Sequence, residues 1–340
     1  MVSPPVSPQR SPGQRRVLVI ANSGAGTAAE ETLDAALAVL REHAEVEVAR
    51  TGSPEELDRV LAGLGERRVV VVGGDGSIHA VVAALHRAGD LAGREIGLVP
   101  LGTGNDFART LDLPLEPAAA AQVVATGRAQ PVDLVVDDGA DGDRVTVNGV
   151  HIGAGAAAGE RGAAWKQRLG RVGVGKVNLG RLGYPIGALQ TAVRPPTLRV
   201  RVEVDGRVVE DGEHRVLQVA LGNGSSVGGG TELTPGARPN DGQVDVLVAR
   251  PERTLARLGY LLRLPFARHG EHREVTLLRG AEVSITDLRA AAGRGEGFDC
   301  NSDGEIDGPV RRRTWRVLPS AYAMVVPGAD RESEAGPRGD

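Results

Sequence analysis

An apolar run that stops at a glycine-rich turn and passes directly into a helical pattern most constrains the fold. Residues 67–72 end in four consecutive valines and are predicted to form a buried strand, which meets the sequence Gly-Gly-Asp-Gly at 73–76. The apolar positions that follow have the spacing of an amphipathic helix: Ile78, Val81, Val82 and Leu85. This order places bare backbone N–H groups at the positive end of a helix, which suits phosphate.

Asp75 stands inside this loop, where its carboxylate would face a bound phosphate. Two like charges repel each other unless a cation lies between them or the carboxylate handles a proton. The loop therefore favours phosphate chemistry over phosphate storage. The alternative is that residues 73–76 form only a tight turn between a strand and a helix.

The first half of the chain repeats the strand–loop–helix unit four times. Three of the strands end in glycine-rich loops, at residues 22–26, 73–77 and 102–106. Because the carboxyl ends of parallel strands meet at one edge of a sheet, these loops would surround a nucleotide with backbone donors. The polar side chains in them are Ser23, Ser77, Thr103 and Asn105. The pattern predicts a parallel sheet covered by helices.

From about residue 132 the pattern changes to short strands. Alternating valines at 200–204 run into Asp205-Gly206, which predicts a hairpin. Further strands are predicted at 216–221, 244–248, 275–278, 283–285 and 315–318. The second half is therefore predicted to be an antiparallel β-sandwich or barrel. The composition of residues 1–14 and 327–340 predicts disordered tails.

Bulk composition excludes several classes of protein. Lys and Arg number 40 against 44 Asp and Glu, so the net charge of −4 gives no reason to expect nucleic acid as a partner. The single cysteine, Cys300, cannot form an intrachain disulfide, which is typical of the reduced cytosol. No apolar run approaches the roughly 18 residues of a membrane span, and no signal peptide is predicted. We expect a cytoplasmic protein, soluble or peripheral at the inner face of the membrane.

A basic stretch at residues 161–201 contains nine Lys and Arg and no Asp or Glu. Apolar residues interleave with these cations, as in a surface that touches anionic lipid headgroups. A solvated basic face explains the stretch equally well. Residues 170–177 have the frame of a P-loop, but Val177 replaces its Ser or Thr and no apolar strand precedes it, so a P-loop is not predicted.

Two acidic segments lie between predicted strands of the second half. One contains Asp241 in the sequence Asn-Asp-Gly-Gln, and the other contains Asp303-Gly304-Glu305. Composition alone favours Asx-type turns for both. The spacing of an EF-hand is absent from the second segment. His79 follows the glycine loop and is either a phosphate ligand or a structural histidine.

Four blocks in this order resemble the bacterial diacylglycerol kinase family of lipid kinases, which is related to the sphingosine kinases. The blocks are residues 73–78, 100–108 (Pro-Leu-Gly-Thr-Gly-Asn-Asp-Phe-Ala), 222–242 with its glycines and Asn240-Asp241-Gly242, and 303–305. The resemblance covers residues 15–326. It implies a Rossmann-like, three-layer α/β domain of the NAD kinase and diacylglycerol kinase type, at 15–131 plus about 310–326, which binds ATP. An antiparallel β-sandwich at 132–309 would accept the lipid.

The resemblance also implies roles for individual residues. Glu305 would take the proton from the lipid hydroxyl, and Asp75 would orient that hydroxyl or a metal. Asp241 would bind Mg²⁺ together with the main-chain carbonyls of Arg238 and Gln243. The ATP site would be lined by Asn22, Ser23, Gly24, Ala25, Gly26, Thr51, Gly73, Gly74, Asp75, Gly76, Ser77, Ile78, His79 and Thr103.

Two positions depart from the family pattern. Ser23 follows Asn22 where proline is usual, and Ala80 follows His79 where glutamate is usual. If that glutamate positions catalytic groups, its loss lowers activity. Two alternatives to a lipid kinase therefore stay open: an NAD kinase, and a non-catalytic nucleotide- or lipid-binding protein. The sequence also leaves open which lipid is used and the oligomeric state, with a homodimer as one expectation.

Overall fold

The structure is a computed structural model that describes residues 15–23, 27–139, 144–154, 156 and 198–328. Several predictions lie outside the described residues: both tails except residues 327 and 328, the P-loop-like segment, residues 161–197 of the basic stretch, and Gly24, Ala25 and Gly26 of the first loop. Within the described residues, no helix is long and apolar enough to cross a membrane.

The first half forms the predicted strand–helix units. Its four parallel strands lie in the order β2-β1-β3-β4. Their bounds are β1 Arg15–Asn22, β2 Ala44–Thr51, β3 Arg68–Gly73 and β4 Glu95–Pro100. The helices are α1 Thr27–His43, α2 Pro54–Ala62, α3 Asp75–Arg87, α4 Asp106–Thr110 and α5 Pro117–Thr126. Ser53 caps the N-terminus of α2, since its Oγ accepts a hydrogen bond from the Glu56 N–H at 3.3 Å.

Alternate residues of the parallel strands supply two hydrophobic cores, one on each face of the sheet. Leu18 and Ile20 of β1 pack on one face, in the core that includes residues of α2, α3 and α4. Val17 and Val19 pack on the other face, against α1 and α5. Because side chains alternate along a strand, this arrangement gives the predicted three layers.

The remaining strands are antiparallel, apart from one long strand described below. They are β5 Arg128–Asp137, β6 Arg144–Thr146, β7 Gly149–Gly153, β8 Val200–Val204, β9 Arg207–Glu210, β10 Gln218–Gly222, β11 Ser226–Val227, β12 Thr231–Glu232, β13 Val244–Ala249, β14 Val275–Gly280, β15 Glu282–Asp287, β16 Phe298–Ser302, β17 Glu305–Val310 and β18 Arg312–Val326. The predicted hairpin between β8 and β9 is correct, with positive φ at Asp205 (48°) and Gly206 (75°).

Strand β18 joins the two halves of the chain. It pairs in parallel with β4 through Ala323 and Met324, and antiparallel with β5 and β15. The resulting sheet has ten strands, in the order β2-β1-β3-β4-β18-β15-β8-β9, with β5 paired to β18 and β6 paired to β5. Because this sheet is continuous, hydrogen bonding alone does not divide the two domains, and the boundaries given above stay a prediction.

A second sheet of six strands has the order β14-β13-β10-β7-β16-β17. It packs against strands β8, β15 and β18 of the ten-stranded sheet. The core between them is formed by Ile152, Leu221 and Val246 from the six-stranded sheet and by Val202 and Ile285 from the larger one. The predicted fold class, an α/β unit plus an antiparallel β-sandwich, is thereby confirmed.

Helix α6 (Thr254–Arg263) covers the outer face of the six-stranded sheet and leads into a 3-10 turn at Leu264–Phe266. Tyr260 and Leu264 are buried there against Leu247 and Ala249 of the sheet. A further 3-10 turn spans His269–Glu271, and a short helix, α7, spans Leu288–Ala291.

The shared core of β5 and β18 leads to a first prediction. Leu134 and Leu318 are cross-strand neighbours, but Leu134 is 0% exposed and Leu318 37%. We expect Leu134→Ala to lower the free energy of unfolding by about 2–5 kcal/mol, because a cavity replaces packed atoms. Leu318→Ala is the control and should cost less than about 1 kcal/mol, because less area returns to water. Urea denaturation measures both values, and equal losses would contradict this placement of the core.

Candidate active site

Two of the predicted glycine loops meet at the carboxyl ends of β3 and β4. The Leu101 N–H donates to the Gly73 carbonyl at 2.9 Å. The backbones then approach so closely that a Cβ on Gly102 would lie 2.6 Å from the Gly74 Cα. Only glycine permits this contact. Since α3 begins at Asp75, the N-terminal N–H groups of α3 lie at this edge.

Asp75 connects the first of these loops to α4, the helix that follows the loop at residues 102–106. Its Oδ1 accepts a hydrogen bond from the Phe107 N–H of α4 at 3.0 Å. Asn105 precedes α4 in the left-handed conformation (φ 51°), and its side-chain amide bonds both the N–H and the carbonyl of Gly102 at 2.8 Å. The turn at residues 102–106 is therefore held by the Asn105 side chain, and the helix after it is bonded to Asp75 at the start of α3.

Asp106 is a site residue that sequence reasoning did not select. Its carboxylate is buried and accepts the N–H groups of Gly229 and Gly230 at 2.8–3.1 Å. A Cβ on Gly104 would lie 3.0 Å from Asp75 Oδ2 and 3.1 Å from Asp106 Oδ2, so the two carboxylates flank the same glycine. Burial raises the pKa of Asp106 and nearby Asp75 adds to the rise, against the hydrogen bonds from both glycines. The signal that could have identified Asp106 was its place in the block at 100–108, directly after Asn105.

The first predicted loop lies beside β2. The Ser23 N–H donates to the Thr51 carbonyl at 3.1 Å, and a Cβ on Gly52 would lie 2.6 Å from Ser23 Oγ. Asn22 and Thr103 are exposed at the strand ends. Among the other residues assigned to ATP, Ser77 Oγ lies against Gly73, and Ile78 is buried in the core. Ile78 can therefore stabilise the site by packing in the core, but its side chain cannot contact ATP.

His79 connects the glycine loop to the second acidic segment. Its Nδ1 lies 2.9 Å from Asp303 Oδ2, and its Nε2 lies 3.7 Å from Glu305 Oε2. His79 is four residues after Asp75, so helical geometry puts the two on one face of α3. Burial lowers the pKa of His79, but the hydrogen bond and charge of Asp303, aided by Glu305, outweigh it and raise the pKa above its ordinary value. The Glu305 side chain is 77% exposed.

Asp303 is the buried anchor of this group. Its carboxylate accepts the N–H groups of Val147, Asn148 and Gly149 at 2.6–3.0 Å, in addition to His79. Its segment is a turn between β16 and β17, as composition suggested, with positive φ at Asp303 and Gly304. The Asx-type bond within that turn comes from Asn301, whose Oδ1 accepts the Gly304 N–H at 2.9 Å. The Asp303 side chain instead points into the protein, towards α3.

The Asp241 turn is held separately, through a different buried aspartate. Asp133 accepts the Gly242 N–H at 2.7 Å. The Asp241 carboxylate lies 2.9 Å from the Arg279 guanidinium and accepts the Gln243 N–H at 3.1 Å, which is an Asx-type turn. Arg238 is exposed. Among the described residues, no three His, Cys, Asp or Glu side chains lie close enough together to hold a metal ion.

A chain of hydrogen bonds nevertheless connects this turn with His79. The buried Asn223 donates its Nδ2 to the carbonyls of both Asp133 and Val147, at 3.0 and 2.8 Å. The Val147 N–H in turn donates to Asp303. The predicted site residues therefore fall into two groups, one around Asp75 and His79 and one around Asp241, with a buried amide between them.

The contact between the two glycine loops leads to a second prediction. Gly102→Ala introduces a Cβ against the Gly74 backbone, so the loops must separate. We expect ATP affinity to fall about tenfold, because misplaced loop N–H groups no longer converge on the phosphates. Gly63→Ala is the matched control, since Gly63 follows the C-terminal end of α2, outside the glycine loops, and a Cβ there would lie no closer than 3.6 Å to a neighbouring atom. Calorimetric titration with ATP compares them, and equal affinities would show that the contact does not shape the nucleotide site.

Comparison with known proteins finds two family models along the chain. Residues 16–136 match the diacylglycerol kinase catalytic domain, and residues 167–326 match the YegS C-terminal NAD kinase beta sandwich-like domain. A relative from Pseudomonas aeruginosa, named "Probable lipid kinase YegS-like", is 31% identical over 92% of this chain and 95% of its own length. A relative from Staphylococcus carnosus, named "Diacylglycerol kinase", is 29% identical over 71% of each chain.

A solved structure of a diacylglycerol kinase from Bacillus anthracis shares the fold. It matches with a TM-score of 0.66 and 20% identity, over 93% of this chain and 98% of its own. At that identity the likeness concerns the fold alone, whereas the Pseudomonas aeruginosa relative extends it to sequence over nearly the whole chain. The chain belongs to the diacylglycerol kinase type of lipid kinases, a family of ATP-using phosphotransferases that act on an alcohol group.

Proposed function

We propose that this protein transfers the γ-phosphoryl group of ATP to a lipid hydroxyl, with diacylglycerol as the acceptor and phosphatidic acid as the product. The observation that carries the proposal is the exposed Glu305 carboxylate beside His79, one helical turn from the glycine loops. The relative named "Diacylglycerol kinase" supports the choice of acceptor.

The proposed ATP site is the edge where the glycine loops meet. The N–H groups at the start of α3 and the loop ending in Thr103 would hold the phosphates, with Ser77 and His79 beneath them. Asn22, Ser23 and Thr51 at the ends of β1 and β2 would bound the rest of the nucleotide. Phosphoryl transfer passes through a loose transition state, so the protein mainly positions reactants and stabilises charge.

Glu305 is the proposed proton acceptor. The lipid hydroxyl oxygen forms a bond to the γ-phosphorus, the bond from that phosphorus to the β,γ-bridging oxygen breaks, and ADP leaves. The hydroxyl proton passes to the Glu305 carboxylate. His79 positions this carboxylate, because its Nδ1 is fixed by Asp303 and its Nε2 faces Glu305. Asp75, which caps α4, would orient the acceptor or a metal on the opposite side.

Mg²⁺ is proposed to arrive with ATP. Asp106 already accepts the N–H groups of Gly229 and Gly230. Asp75 lies beside Gly104 and is an oxygen donor of the kind that Mg²⁺ prefers, one or two carboxylates together with phosphate oxygens. Bound there, the ion would neutralise phosphate charge. The other proposed ligands, Asp241 with the carbonyls of Arg238 and Gln243, fit a resident ion poorly, because the Asp241 carboxylate already bonds Arg279 and a backbone N–H.

Transfer of label from γ-labelled ATP tests the proposal directly. With Mg²⁺, the acceptors would be diacylglycerol, phosphatidylglycerol, a sphingoid base and an undecaprenol in mixed micelles, with NAD⁺ in parallel. Labelled phosphatidic acid is the expected product. Label on NAD⁺ alone would favour an NAD kinase. ATP binding without any transfer would favour a binding protein, the reading that Ala80 leaves open.

Replacement of the proposed base gives a third prediction. We expect Glu305→Gln to lower kcat by about 10²–10⁴-fold, because the amide cannot take the proton. ATP affinity should change little. Glu296→Gln is the matched control, an exposed glutamate on the loop before β16. Initial rates in the same micelle assay compare them, and a near wild-type kcat for Glu305→Gln would remove Glu305 from the mechanism.

The raised pKa of His79 gives a fourth prediction. The imidazolium attracts the Glu305 carboxylate. This attraction is present below the pKa of His79 in the folded protein, which lies above the ordinary value of about 6.5, and it is lost as pH rises through that pKa. We expect kcat to fall about two- to fivefold over that alkaline limb. The His79→Asn variant should not show this alkaline decrease in kcat, although the ionisations of ATP and lipid are the same for both proteins. The pH profiles of both proteins decide it, and identical profiles would show that His79 does not act through its charge.

A further inference from the structure

Helix α6 and the turn after it leave a row of large apolar side chains in water. Leu255 is 83% exposed, Leu258 42%, Leu262 63% and Phe266 73%. The three leucines are spaced i, i+3 and i+7, which places them on one face of the helix. These four residues are called the α6 surface below. Tyr260 and Leu264, in contrast, are buried against the six-stranded sheet. Exposed apolar patches of this kind mark docking sites.

Helix α6 and the turn after it carry arginine as their only charged side chain. Residues 253–268 contain four arginines and no Asp or Glu. Arg257 donates to the carbonyls of Pro251 and Glu252, and these bonds leave its positive charge uncancelled. Arg263 donates to the carbonyl of Gly259 and also interacts with the Glu271 carboxylate. Arg268 pairs with Glu271, and both side chains are exposed. A helix with exposed leucines and flanking arginines suits the interface of an anionic membrane.

The α6 surface is also connected to the proposed active site. The turn after α6 is fixed by His269, whose Nε2 lies 2.7 Å from the Leu233 carbonyl. Leu233 directly follows β12, and the β11–β12 hairpin carries Gly229 and Gly230, which bond Asp106. A partner that docks on the α6 surface therefore contacts a part of the protein that is connected, through the β11–β12 hairpin, to Asp106 of the candidate active site.

We propose that the α6 surface inserts its apolar side chains into the interfacial layer of a bilayer that contains anionic lipid, with the arginines against the headgroups. The inference rests on the proposed function in that the acceptor is a membrane lipid. A second copy of this chain is the competing occupant. Isologous pairing of two α6 surfaces would bring like-charged arginines together, which disfavours it.

Vesicle sedimentation without ATP tests the docking independently of turnover. The variant is Leu255→Ser/Leu262→Ser/Phe266→Ser, and the control is Val208→Ser/Leu318→Ser, which removes exposed apolar residues elsewhere. On vesicles of phosphatidylcholine with phosphatidylglycerol, we expect the wild type and the control to bind alike. The triple variant should bind at least tenfold more weakly. High salt should also weaken the binding of the wild type to these vesicles. Binding to phosphatidylcholine alone should be much weaker.

Two results would overturn the proposal. One is undiminished vesicle binding by the triple variant, which would assign the membrane contact to another surface. The other is a wild-type dimer that becomes monomeric in the triple variant, by analytical ultracentrifugation, with vesicle binding unchanged. Thermal unfolding at matched Tm shows that the variant is folded, as expected for exposed positions.

A kinase assay with a short-chain, water-soluble diacylglycerol separates this proposal from the proposed function. The triple variant should match the wild type there and lose activity only on vesicle-borne lipid. If neither protein phosphorylates the soluble acceptor while the vesicle binding still differs as expected, docking stands and the acceptor assignment fails.

Discussion

The arrangement of the site depends on one buried carboxylate, that of Asp303. Removing a carboxylate from water costs several kcal/mol unless hydrogen bonds compensate for it. Here three backbone N–H groups at residues 147–149 and the His79 ring provide that compensation. Any shift of α3 away from this turn would strip a donor from a buried charge. The position of His79, and through it that of Glu305, is therefore fixed relative to the glycine loops.

Buried aspartates that accept backbone N–H groups occur at two other places. Asp106 of α4 accepts Gly229 and Gly230 from the second half of the chain, and Asp133 of β5 accepts Gly242. All three glycines have positive φ, between 74° and 107°. Glycine is favoured there because this conformation is costly for other residues. The glycines of the block at 222–242 thus donate to buried aspartates at positions 106 and 133, which explains how this block is held against residues far from it in sequence.

Local rules predicted most of the fold. The Asp205-Gly206 hairpin and the strand–helix units each depend on residues within a few positions of one another, and both are present. The partners of Asp106 and Asp303 are 123 to 224 residues away, so no local pattern could identify them. Helix α6 was not predicted, and its pattern alone could not say which apolar face the sheet would cover.

The contrast between Glu305 and its supports has a consequence for the reaction. His79 and Asp303 are buried, whereas Glu305 is largely exposed, so a proton acceptor in this position is surrounded by water before the substrate arrives. Water in that position would compete with the lipid for the γ-phosphoryl group. The exclusion of water must come from the acceptor itself and from the surface that delivers it. A bilayer docked on the α6 surface, as proposed, would deliver the acceptor, and the lipid that enters the site would then displace this water.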